Sequence, residues 1–122
     1  MVKTLTGLAT LLGTVWLACI WAQDKPKYTI KEVMEQAHKG GLLKQVLSGK
    51  AAKEDRDNLL EYYRALAANK PPRGDLKSWK QKTEALVNAA EALTMDAADK
   101  KALAALKKAS NCMACHNVHR GE

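Results

Sequence analysis

The 122-residue chain has no phenylalanine and few aromatics of any kind, with three tryptophans and three tyrosines in all. In so short a chain the shortage matters, because small domains bury a modest fraction of their surface and are marginally stable. Something other than aromatic side chains is expected to fill part of the core. Cysteine is odd in number, at three, which leaves one thiol over from any pairing. No stretch alternates apolar and polar residues as a half-buried strand does, and no internal repeat is present. The length leaves room for one domain and excludes a TIM barrel or a two-domain nucleotide fold. Charged residues at 27% and apolar residues at 47% argue against global disorder.

The N-terminus reads as an address. Lys3 supplies a positive charge, and Leu5 to Trp21 then runs without a single charged residue. A basic start, an apolar run and a small residue before a polar stretch make a secretory signal peptide, here residues 1–22 with a cut after Ala22. Two alternatives stand beside it. One is a retained membrane anchor, since the run is at the lower bound for a spanning helix. The other is a lipid on Cys19, although Trp16 is a poor residue for that motif. Removing residues 1–22 leaves a 100-residue domain, 23–122. One lysine goes with them, so the net charge falls from +7 to +6, and one tryptophan and two cysteines remain.

The domain reads as helices throughout. Thr29 and Glu32 form a capping box, in which hydroxyl and carboxylate satisfy free amides at a helix start. Ile30, Val33, Met34 and Ala37 follow at helical spacing, Gly40–Gly41 interrupts, and Leu42 to Leu47 adds one or two turns. A second helix fits Ala51 to Asn69, with Glu54, Asp55 and Asp57 near its start, where acids suit the helix dipole. Its apolar stripe is Leu59, Tyr62, Tyr63 and Leu66. Two of the three prolines, Pro71 and Pro72, lie in a loop with Gly74. The third helix starts near Asp75 and carries Trp79, Thr83, Leu86, Ala90 and Leu93 on one face. A fourth carries Ala98, Ala102, Leu106 and Ala109 and runs into the C-terminal cysteines. The expected fold is all-α, an antiparallel up-down-up-down four-helix bundle. Its many alanines let helices approach closely but supply little apolar volume.

Cys112-Met113-Ala114-Cys115-His116 carries the chemistry. The Cys-x-x-Cys-His spacing is the attachment pattern for c-type haem. Two thiols three residues apart meet the two vinyl groups on one porphyrin edge as thioethers, and the adjacent imidazole lies under the iron. Cys112 and Cys115 are therefore the expected haem c anchors and His116 the proximal iron ligand, for one covalent haem. Three other readings are weaker. A thioredoxin-type redox pair needs a βαβ context. A zinc site from Cys112, Cys115, His116 and His119 is too compressed for usual finger spacings. A Cys112–Cys115 disulfide on a helix is strained.

A ligand on the opposite haem face has to come from upstream, since six residues follow His116. In an up-down bundle the start of the first helix meets the end of the fourth, which brings up Met34 and His38. These are four apart and share a helix face. Met95, placed at the start of the fourth helix, is ~30 Å from His116 at about 1.5 Å per residue. Met34 is the first choice for sixth ligand, His38 the second, and an empty position the third. The plain alternatives are core packing for Met34 and a solvated helix end for His38.

The layout resembles the cytochrome c′/c-556 family, haem proteins on a four-helix bundle. The resemblance covers most of residues 23–122. It rests on Cys112-x-x-Cys115-His116 with Arg120 four residues on, on Ser78–Trp79 followed by Thr83, Leu86 and Ala90, and on Val33–Met34. It implies that Met34 is the sixth ligand, as in the c-556 branch. The chain departs from the family in its short length and in His119, which stands where an aromatic is usual.

The expected function is an exported, periplasmic monohaem cytochrome that carries single electrons between redox partners. Lysines on its surface would steer acidic partners. Arg120, one turn beyond His116, is the candidate partner for a haem propionate. The alternative is a gas-binding protein with a vacant sixth position. Haem enzymology ranks last, since no distal acid–base set exists beyond His38. A nucleic-acid partner is not expected. A homodimer is kept as an expectation, and membrane attachment applies only if the N-terminal segment is retained.

Overall fold

The computed structural model describes residues 26–121. The expected signal segment, residues 1–22, and Cys19 within it lie outside the described residues. Those described are all-helical and contain no strand, as the missing period-two pattern predicts. No helix among them is long and apolar enough to cross a membrane.

The first helical segment begins as α1, Ile30–Val33, and widens into a π-helical segment, Met34–Lys39. Its start is the expected capping box: Thr29 Oγ1 accepts from the Glu32 amide, and the Glu32 carboxylate accepts from the Thr29 amide. Its end is set by glycine. The Gly40 amide reaches back five residues to the Glu35 carbonyl at 2.8 Å, and a Cβ on Gly40 would lie 2.7 Å from the Gln36 carbonyl oxygen. Gly41, at φ 83°, turns the chain into α2, Leu42–Leu47, a backbone region that glycine enters without steric cost.

Four further helices follow. Helix α3 spans Lys53–Ala68, two residues inside the expected start, because Ala52 is extended and serves as its N-cap. Helix α4 spans Leu76–Met95 and starts on Asp75, whose carboxylate accepts from the Lys77 amide. Met95 therefore closes α4 instead of opening the next helix, and it is 88% exposed. Helix α5, Lys100–Ala109, is capped by Asp99. The expected continuous last helix is broken at Ser110–Asn111. Asn111 accepts from the Met113 and Ala114 amides and so starts a separate helix, α6, Cys112–His119.

Packing follows the sequence stripes. Trp79, Thr83, Leu86, Ala90 and Leu93 of α4 are all buried, joined by Ala89. They meet Leu59, Leu60, Tyr63, Ala65 and Leu66 of α3 in one core that also takes Val33, Ala37, Val46, Ala102 and Leu106. Helix α4 packs along both α3 and α5, α2 touches α3 and α5, and α6 rests on α4. Arg56 clamps the seam. Its guanidinium donates to the Leu93 and Thr94 carbonyls at 2.7 and 3.2 Å, placing a cation at the negative end of α4.

Candidate functional site

The site is built on α6. Cys112 is exposed and Cys115 half-buried, and both are free thiols. Burial pushes the Cys115 thiol up, the neighbouring Cys112 adds to this, and the Lys82 charge opposes it. Beside Cys115 a trough of about 650 Å³ runs along the α4–α5 seam, lined by seven alanines.

His116 is half-buried and makes no side-chain hydrogen bond to any described residue. His119, one turn on, is the opposite case. Its Nδ1 donates to the Arg73 carbonyl at 3.1 Å, and its Nε2 lies 3.1 Å from the Ser78 hydroxyl. Its ring stands edge-on to Trp79 with centroids 5.3 Å apart, and it is 2% exposed. Arg73 also donates to the Asn117 carbonyl at 2.7 Å. The 70–75 loop thus grips the end of α6. Gly74, at φ 90°, permits it, since a Cβ there would lie 2.5 Å from His119 Nδ1.

The π segment carries the two candidate sixth ligands, Met34 and His38. His38 is half-buried, and its Nε2 is 3.1 Å from the Tyr63 hydroxyl, with the two rings edge-on. It is therefore not the solvated helix end that its flanking Lys39 and glycines suggest. Burial lowers its pKa, and the positive charge of His116 lowers it further. Tyr63 is wholly buried. Burial drives its phenol well above the usual range, and Cys112 adds to the effect. Residues from the π segment, α3 and α6 thus fall within electrostatic reach of one another. Met34, one turn before His38, is half-buried against the core. Arg120 caps α6 through its amide to the His116 carbonyl, and its side chain is exposed and forms no ion pair with a described residue.

This donor set fits a c-type haem. Two free thiols are offered on one short helix, and the imidazole beside them is uncommitted. It does not fit the four-ligand zinc reading, because both His119 nitrogens are engaged. Among the described residues no three His, Cys, Asp or Glu side chains form a metal cage. Sequence reading missed Tyr63 as a site residue and the engagement of His119. The first lies on a stripe that reads as core, and the second has partners more than 40 residues away.

Comparison with protein-family models, with curated proteins and with solved structures returns no match.

Proposed function

We propose that this chain is an exported monohaem c-type cytochrome, of the cytochrome c′/c-556 kind, that carries single electrons between redox proteins. On this reading the helices form an antiparallel four-helix bundle in which the α1–π–α2 segment and the α5–α6 pair each count as one bent helix. The observation that carries the reading is on α6: two free thiols three residues apart, followed at once by an imidazole that no described residue engages.

When bound, haem supplies an iron that gains and loses one electron. The chain's own groups do the rest. Cys112 and Cys115 would anchor the ring, and His116 and Met34 would ligate the iron, a pairing that raises the reduction potential. Arg120 is free to meet a propionate. Helix α5 carries four lysines and no acid, a surface suited to steering an acidic partner at low salt.

The test is spectroscopic. The full chain, produced in a host that attaches haem to exported proteins, is expected to keep its haem after denaturation. Its reduced spectrum is expected to be low-spin and indifferent to carbon monoxide. A high-spin spectrum that shifts with carbon monoxide would replace the carrier by a gas-binding protein. A chain that never acquires covalent haem would overturn the assignment.

A further inference from the structure

The geometry points to Tyr63 as a positioning residue that holds His38 away from the haem iron and so leaves the sixth position to Met34. This inference rests on the haem reading above.

Met34 and His38 sit four apart on the π segment, and the sequence alone leaves both in contention. The structure separates them by what each already touches. Met34 packs on the core through an apolar side chain and surrenders no hydrogen bond when it turns to a new partner. His38 is engaged at Nε2, the nitrogen at the far end of the ring and the better placed to reach a metal, by the Tyr63 hydroxyl at 3.1 Å. Tyr63 has no exposure at all, and its hydroxyl has no other hydrogen-bond partner among the described residues. Coordination by His38 Nε2 would strand that hydroxyl in the core, where an unpaired polar group is costly. The edge-on contact of the two rings, with centroids 5.9 Å apart, further fixes the imidazole plane. A ring held by another residue is the opposite of an uncommitted one such as His116. Each imidazole near the site thus has one job: His116 is uncommitted, and His38 is withheld.

The location of the pair strengthens the inference. π-helical turns are rare and concentrate at functional sites, and this one spans Met34 to Lys39. It carries both competitors, so a residue on α3 is required to break the tie. Tyr63 is the phenol that reaches it.

The experiment uses the haem-loaded full chain and three variants, Tyr63→Phe, His38→Gln and the two combined. Tyr63→Phe keeps the ring and its packing and removes only the hydroxyl. It is expected to release His38 to the iron. The readouts are loss of the methionine–iron signature in the ferric spectrum and a downward shift in reduction potential, since exchange of methionine for a second histidine lowers it. His38→Gln alone should leave both unchanged, and His38→Gln in the Tyr63→Phe background should restore them. A purely structural role for Tyr63 would lower the melting temperature without moving the potential, and that result overturns the inference. It also fails if His38→Gln alone changes the axial ligation, because His38 is then a ligand. Should Tyr63→Phe not fold, a change of axial ligation in His38→Gln alone still overturns the inference. Wild-type protein without covalent haem overturns this inference together with the function, whereas haem-bearing Tyr63→Phe with an unchanged spectrum overturns this inference alone.

Discussion

The two ends of α6 are treated in opposite ways. In the first, Cys112, Met113 and Ala114 face solvent, Cys115 is half-buried, and neither thiol is bonded to the other. In the second, His119 is sealed between Trp79, Ser78 and the Arg73 carbonyl. His119 is complete as it stands, whereas His116, three residues before it, makes no side-chain hydrogen bond to a described residue. The first end presents reactive groups with nothing on the protein to use them. Residues that serve the fold are saturated by their neighbours, and residues that serve something else are left unsatisfied.

The sharpest way to break this contrast is to remove the first turn's thiols. The double variant Cys112→Ala, Cys115→Ala is expected to lose all covalently held haem, read as the absence of the attached mass after denaturation. Its haem-free melting curve should match the haem-free parent within about 0.5 kcal/mol, because substitutions at exposed and half-exposed sites away from packing features cost little. In the second turn the pattern should invert. His119→Ala removes a buried ring and strands a hydroxyl and a carbonyl, so it is expected to cost about 3 kcal/mol of stability by denaturant melt. Gly74→Ala sharpens the same side from the loop. It forces a positive φ on a side chain and pushes against His119, for an expected loss of about 2 kcal/mol. A melt unchanged by either substitution would mean that the two turns do not differ as described.

Much of the helical frame is legible in the sequence. The five-residue face of α4 is buried throughout, the Thr29–Glu32 cap forms, and the loop around Pro71–Pro72 lies where those residues require it. These features are local, decided by spacing and by residues that cap or break helices. The break at Ser110–Asn111 carried a readable signal, an asparagine ahead of the last helix, but the apolar spacing of α5 reads across it. The π segment carried only a partial one in Gly40–Gly41, because no propensity announces a bond to the fifth carbonyl back. At the candidate site the grouping of Cys112, Cys115 and His116 on one short helix is plain from its spacing. The pairs Tyr63–His38 and His119–Ser78 are not, because they join residues 25 and 41 positions apart. Such contacts depend on how helices are laid together, which no local pattern records.

The break before α6 bears on the order in which the molecule is assembled. An eight-residue helix is too short to persist by itself in water. Until His119 seats against Trp79, α6 has little to hold it beyond its own short run of backbone bonds. Whatever chemistry is done on Cys112 and Cys115 can therefore be done on an extended chain, with both thiols open from every side. On the proposed haem reading, attachment at Cys112 and Cys115 would precede the seating of His119, which would then act as a latch.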